Sequence, residues 1–357
     1  MTVLEYLREL VGLTGTSGAE EDVARAVARL ARPLVDTVEV DVLGTVAATR
    51  HAADPSARHL VLAAHIDEIG LRVTAIDADG FLRFELAGGF DTRILLAQRV
   101  YVQTAERRVL GVIGTRSAHL LRESDRTSVP AHTEQYIDVG ARDRDEARAM
   151  GVFIGAPVGF VGELAELGHD SGRYAGHAID DRAGCAIALS LLHELREEPL
   201  PVTITVLFTV QEEIGVRGAQ AARDAYGGDV GLAIDMTALD DTPETGTKRL
   251  CLGQGPAIKV MDRLHISHPA VRRGLETAAA KAGVTVQHEI LMGIGTDAAA
   301  LQFAGHGLPT AALSVGNRYT HSPVEVVDRR DLEDAVAVLR AFVGVLPDLD
   351  LRFVTLD

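Results

Sequence analysis

Cysteine is scarce in this 357-residue chain: Cys185 and Cys251 stand far apart, each in apolar surroundings. A disulfide framework or a cysteine-based zinc site is thereby excluded, and a reducing, cytoplasmic setting is expected. No uninterrupted apolar run approaches the roughly 20 residues of a membrane-spanning helix. The first residues, MTVLEYLRELVGLTG, carry Glu5 and Glu9 inside an apolar pattern, which suits an amphipathic helix and not a secretion or transit signal. Repeats and low-complexity stretches are missing, and 47% hydrophobic against 24% charged residues is ordinary for a globular protein, so disorder is not expected. Positive charge is short. With 35 Lys and Arg against 51 Asp and Glu, the net charge of −16 excludes nucleic acid or an anionic membrane as the main partner, because both are repelled at long range.

What is present begins with short runs of Val, Ile, Leu and Ala, each followed by a helical pattern. The clearest runs are residues 60–64, 202–210, 230–234 and 310–315. Apolar residues at three- and four-residue spacing predict helices over 20–30, 182–195, 216–226, 270–282 and 332–346. This alternation predicts an α/β fold with a mostly parallel sheet covered by helices. Between about residues 68 and 165 the texture changes to period-two segments split by turn signals, with Asp79-Gly80 as a hairpin turn. A small β-rich insert is expected there, leaving residues 1–67 and 166–357 as one discontinuous α/β domain. Within the insert, RESDRTSVPAHTEQ (122–135) reads as a mobile loop. ARDRDEARAM (141–150) reads as a short helix started by Asp143, with Glu146 three residues on.

Ligands of open parallel sheets bind beyond the carboxyl ends of the strands, so the residues following each apolar run carry the functional signal. After LVLAA come His65 and Asp67, and after HAI come Asp180 and Asp181. Glu212 and Glu213 follow VTITVLFTVQ, Asp235 follows GLAI, and His321 follows AALSVGNRYT. Carboxylate and imidazole together suit Zn, Co or Mn. One ion would leave ligands over, whereas two ions sharing a bridging carboxylate, at the roughly 3.5–4 Å spacing of dinuclear hydrolases, would use all five segments. A carboxylate outside the ligand set would then move the proton. Two residues apart on an extended segment, His65 and Asp67 point the same way, so the Asp67 carboxylate is expected to accept the free ring N–H.

Taken singly these residues have plainer readings. Asp180-Asp181 could cap a helix, Glu212-Glu213 could be a solvated first turn, and either histidine could be a satisfied polar residue. Their joint placement at strand ends defeats those readings.

At this point the chain resembles a family, the tetrahedral (TET-type) glutamyl and deblocking aminopeptidases. AAHIDEIG, AIDDRAGCA, VQEEIGVRGA, AIDMT, GTDAAA and YTHSPVEVVD resemble its landmarks in order, and GVIG, AHLL and YIDVGA resemble its β-rich dimerisation insert. The resemblance implies a zinc-exopeptidase-like fold and two divalent ions per subunit, zinc first, with cobalt or manganese as alternatives. It implies that Asp180 bridges the ions, that His65 and Asp235 complete one site, and that Glu213 and His321 complete the other. Glu212 would be the general base, Asp67 would orient His65, and the peptide bond after Asp180 would be cis. Dimers, or dodecamers built from them, are implied as the assembly. The sequence departs from the family pattern at Arg116-Ser117-Ala118 and at residues 292–295.

Three other functions share parts of this pattern. A glycosidase using Glu212 and Glu213 is disfavoured because adjacent residues diverge from one backbone point, whereas such carboxyls flank the scissile bond about 5 to 9.5 Å apart. A carboxypeptidase or amide deacylase on a similar metal pair differs only in substrate. A non-catalytic assembly protein would have lost a ligand or Glu212, and all are present. The expected substrate is a short peptide with a free N-terminus. Glu212, Glu213, Asp235 and Asp297 offer carboxylates to an ammonium group, and Thr296 and Asp297 in GTDAAA are the expected substrate-binding residues. Arg318 is the one cation that could instead favour a terminal carboxylate.

Overall fold

The computed structural model describes residues 1–123, 128–243 and 248–354. Eight strands form the main sheet, in the spatial order β1 (Thr37–Val40), β2 (Val46–Arg50), β12 (Thr203–Thr209), β3 (His59–His65), β13 (Val230–Ala238), β16 (Thr310–Asn317), β14 (Ala257–Asp262) and β15 (Gln287–Leu291). The central four, β12, β3, β13 and β16, run parallel, while β2 and β14 join them antiparallel on either side. Helices cover both faces, which is why these strands are nearly continuous in Val, Ile, Leu and Ala. On β3, Leu60, Leu62 and Ala64 pack into the larger core with α1 (Val3–Val11), α2 (Glu21–Ala31), α4 (Ile179–Leu195), α6 (Pro269–Ala282) and α8 (Arg329–Val345). The intervening Val61 and Ala63 face the other side, toward α5 (Arg217–Ala222) and α7 (Ala298–Leu301). Leu191 and Phe342 are fully buried in the larger core, so truncating either to Ala costs about 2–5 kcal/mol.

Strands β4 (Gly70–Ile76), β5 (Leu82–Ala87), β6 (Arg99–Gln103), β7 (Arg108–Gly114), β8 (Tyr136–Asp138) and β9 (Pro157–Phe160) close into a barrel, in the order β4-β5-β8-β7-β6-β9. Its core is separate, built around Leu71, Phe84, Val100, Ile113 and Val158. The β4–β5 turn needs its glycine: Gly80 sits at φ +86°, and a Cβ there would lie 2.7 Å from the Ala141 carbonyl oxygen. Asp143 caps α3 (Arg144–Ala149) by accepting the Glu146 N–H at 2.8 Å. Of the expected loop 122–135, residues 124–127 lie outside the described residues, and His132–Glu134 forms a 3₁₀ turn. The chain leaves the barrel into a small sheet of β10 (Ala165–Glu166), β11 (Arg173–Gly176) and β17 (Glu325–Asp328), in which Ala165 pairs with Ala175. Among the described residues no helix is long and apolar enough to cross a membrane.

Candidate metal centre and active site

The parallel register brings distant residues level at one sheet edge. Leu60 pairs with Val230 and Ala63 with Ala233, so two residues further along each strand stand His65 and Asp235. Glu212 and Glu213 follow β12, His321 follows β16, and Asp180 lies at the start of α4, where its peptide bond to Asp181 is cis. Several backbones here are left-handed at non-glycine residues: Ala178 (φ 51°), Gln211 (φ 54°), Tyr319 (φ 61°) and His321 (φ 60°). Such conformations cost about 1–3 kcal/mol each and persist only where neighbours enforce them. Two buried carboxylates do so. Glu325 accepts the N–H groups of Asp180 at 2.9 Å and His321 at 2.8 Å. Asp67 accepts those of Glu212 at 2.9 Å and Glu213 at 3.2 Å, and also the Ser17 hydroxyl at 2.6 Å.

Asp180 stands at the middle of the cluster. Its Oδ1 lies 3.2 Å from His65 Nε2, and its Oδ2 lies 3.6 Å from His321 Nε2. Asp235 Oδ1 is 3.9 Å from the first imidazole, and Glu213 Oε2 is 3.2 Å from the second. Both rings are turned alike: His65 Nδ1 faces the main-chain carbonyl of Asp67 at 3.1 Å, and His321 Nδ1 faces that of Gly89 at 2.9 Å. A ring that donates from Nδ1 presents an Nε2 lone pair inward. Asp181 lies close to His65 and Asp235 as well, but its oxygens accept the N–H groups of His65 at 3.2 Å and Gly184 at 2.9 Å.

Burial and mutual repulsion push the carboxyls of Glu212, Asp235, Asp181 and Glu325 well above the usual range. Burial opposes a charge on the imidazoles too, yet Asp180 and Asp67 hold His65 well above its ordinary pKa, and Glu213 helps bring His321 to about 10. The cluster is short of positive charge. Its donors are oxygens and imidazole nitrogens with no thiolate; His65, Asp180 and Glu213 bring ligand atoms within 4.8 Å of one another, as do His65, Asp181 and Asp235, a set that fits divalent ions of the Zn, Co or Mn kind.

The sequence pattern of the M42 glutamyl aminopeptidases matches residues 44–338, a span that includes all of these side chains. The chain belongs to that family. This M42 chain is 36% identical over 337 residues to a putative aminopeptidase of Acetivibrio thermocellus, covering 94% of itself and 97% of that protein. An aminopeptidase structure from the archaeon Desulfurococcus kamchatkensis superposes with a TM-score of 0.90 at 38% identity, over 96% of this chain and 94% of that one. The Pyrococcus horikoshii TET1 peptidase, described as assembling into a tetrahedron or a large octahedral shell, superposes at 0.86 with 32% identity, over 96% and 99%. Membership makes the M42 chain a hydrolase of peptide bonds acting as an exopeptidase.

His65, Asp180, Glu212, Glu213, Asp235 and His321 all line one cleft of about 620 Å³. Asp67, Thr296 and Asp297 do not. The expected bond from the His65 ring to the Asp67 carboxylate is replaced by one to the Asp67 carbonyl: the strand ends at His65, and the carboxylate, 3.6 Å from Nδ1, holds the Glu212-Glu213 turn instead. Thr296 and Asp297 are buried behind the cleft floor, where Asp297 accepts the Thr209 hydroxyl, so neither stands where a substrate would touch it. Arg318 is engaged by Asp241 at 2.7 and 2.6 Å and is absent from the cleft wall.

Sequence reasoning missed three residues of the M42 site. Arg263 lines the cleft, exposed, and its guanidinium has no hydrogen-bond or ion-pair partner among the described residues. It directly follows β14, which runs antiparallel to β16, so an argument from the carboxyl ends of parallel strands does not reach it. Glu325 sits in the quoted YTHSPVEVVD motif, but nothing in sequence marks a carboxylate that binds two backbone N–H groups. Gly89 acts through its carbonyl and leaves no side-chain signal.

Proposed function

We propose that this M42 chain removes the N-terminal residue from short peptides with a free α-amine, through two divalent ions, zinc first, with cobalt or manganese as alternatives. His65 and Asp235 would hold one ion, Glu213 and His321 the other, with Asp180 between them. The observation that carries this reading is that the two oxygens of Asp180 face two different imidazoles. When bound, such a pair lowers the pKa of a water and polarises the scissile carbonyl. Glu212 lines the cleft beside these ligands and is the group available to take the proton from that water and return it to the departing amine. Asp67 fixes Glu212 and Glu213 by their N–H groups, so base and ligand keep one relative placement.

The free α-amine is matched by the carboxylates of the cleft, while Leu264, Ile294 and Met236 leave an apolar wall for the first side chain. Arg263, which also lines the cleft, suits an acidic first residue, in keeping with the word glutamyl in the family's description. A glycosidase reading is not supported, since Glu213 faces His321 instead of standing across a bond from Glu212.

We further propose the division into a catalytic α/β domain, residues 1–67 and 166–357, and a barrel inserted at 68–165; the two separate cores support it. The barrel would carry subunit contacts, as dimers or as a larger closed shell. Unpaired strand edges do not argue for this, because the barrel closes on itself, but exposed Leu110, Val112, Phe153 and Ile154 do. A cytoplasmic location fits the two free cysteines.

The deciding experiment is a timed digest read by mass spectrometry after metal reconstitution. Peptides should shorten one residue at a time from the N-terminus, N-acetylated versions should resist, and chelation should stop the reaction. A ladder from the C-terminus, with Arg263 then receiving the terminal carboxylate, would reject the aminopeptidase reading.

A further inference from the structure

The two inward-facing imidazoles are oriented by different parts of the molecule. For His65 the acceptor of the Nδ1 proton is Asp67, two residues along its own segment and in the α/β domain. For His321 it is Gly89, which follows barrel strand β5. His321 also has the greater need of such a partner: it is about a third exposed, whereas His65, Asp180, Glu213 and Asp235 have side chains less than a tenth exposed.

The barrel segment is built for a close approach. Gly88 has φ +104°, and a Cβ on it would lie 2.6 Å from Ile69 Cγ2, so only glycine turns the chain here. Gly89 then passes so near the ring that a Cβ would lie 3.3 Å from His321 Nδ1. Next, Phe90 anchors the segment on Phe160 of the barrel core, with ring centroids 5.9 Å apart.

Resting on the metal-pair reading above, we infer that the Gly89 carbonyl is the positioning partner of His321, so that the α/β domain alone orients the imidazole of one ion and the barrel must be seated to orient the imidazole of the other. A ligand imidazole without its orienting partner typically loses 10–100-fold in metal affinity. The loss would fall on one ion and spare the other.

The test is zinc titration of the metal-free full-length chain against a chromogenic chelator. Wild type should bind two ions. Gly89→Ala crowds Nδ1 and should weaken one ion roughly 10–100-fold while leaving the other unchanged. That ion should be the one His321→Ala weakens, and the double variant should lose little more than His321→Ala alone. Gly227→Ala, whose added Cβ meets nothing within 4 Å, should match wild type. If Gly89→Ala fails to fold, Phe90→Ala decides, because it keeps Gly89 and removes its anchor; the same single-ion weakening is expected. A folded Gly89→Ala or Phe90→Ala with both affinities intact, or with both ions weakened alike, overturns the inference. A wild-type protein that binds only one ion overturns the dinuclear reading itself, and is distinguished by needing no variant to show it.

Discussion

His65 and Asp67 are joined through a main-chain carbonyl, while the Asp67 carboxylate is turned to the Glu212-Glu213 turn. One short segment therefore orients the proposed ligand His65 with its backbone and the proposed base Glu212 with its side chain. Asp67→Asn should uncouple the two. An amide group cannot accept on its nitrogen, so one buried N–H or hydroxyl loses its acceptor at a cost of about 1–3 kcal/mol. We expect kcat to fall more than KM rises, with the His65 side of the centre still binding metal. Ser17→Ala, which leaves both backbone bonds, should be milder. Equal kinetics for Asp67→Asn and wild type would contradict this.

Glu212→Gln should fold and keep about two metal ions yet lose roughly 10²–10⁴-fold in turnover, the usual contribution of a general acid–base group. Metal analysis beside steady-state rates checks it. Lost metal would make Glu212 a ligand instead.

Arg263→Ala should lower kcat/KM for peptides beginning with Glu or Asp by about 10-fold or more, the worth of a charged hydrogen bond, and leave those beginning with Leu unaffected. Arg263→Glu should favour an N-terminal Lys. A uniform fall across the substrate panel would remove Arg263 from specificity.

Sedimentation at micromolar concentration should give a dimer or a larger closed assembly. Charged substitutions at Leu110 and Ile154, both exposed on the barrel, should dissociate it without unfolding the chain. A wild-type monomer would contradict the barrel's proposed role.

His265 should contribute a loss of stability as pH drops from about 6.5 toward 4, opposite in sign to the contribution of the cleft carboxyls held above their usual range. Burial, then the nearby Lys259 charge, lowers its pKa to about 4, and its Nε2 lies 2.9 Å from the Thr310 hydroxyl. Below its ordinary pKa the unfolded chain takes up a proton that the folded chain refuses, so acid favours unfolding by up to ~3 kcal/mol across that window; below pH 4 both states are protonated and the loss levels off. The difference in unfolding free energy between wild type and His265→Gln, from denaturant titrations at pH 7 and 4.5, should shift against wild type at the lower pH; an unchanged difference would contradict this.

The fold class was legible because a doubly covered parallel strand is near-continuously apolar, and residues 60–64, 202–210, 230–234 and 310–315 are rich in Val, Ile, Leu and Ala with no charged residue among them. The cleft's carboxylates and imidazoles were legible for a related reason: a polar residue ending such a run has few roles besides the site. What escaped was set by geometry that no residue type encodes. Whether Asp67 offers its ring neighbour a carboxylate or a carbonyl depends on where the strand stops. That Asp297 lies behind the cleft floor depends on Thr209 across the sheet. The edge of β14 was hidden because Lys259, fully buried against Glu289, interrupts its apolar pattern with a charge whose partner is far along the chain.

The register of the central sheet also bears on how the protein is made. β3 lies between β12 and β13, and β13 pairs in turn with β16, so His65, near the beginning of the chain, reaches its companions only after the segments carrying Asp180, Glu213, Asp235 and finally His321 exist. Such long-range pairing is slow and is completed late. A nascent chain stalled before β16 would hold the His65 and Asp235 half without the His321 half, and hence would lack a paired centre. On the two-ion reading proposed above, hydrolytic competence would thus arrive with the last strands.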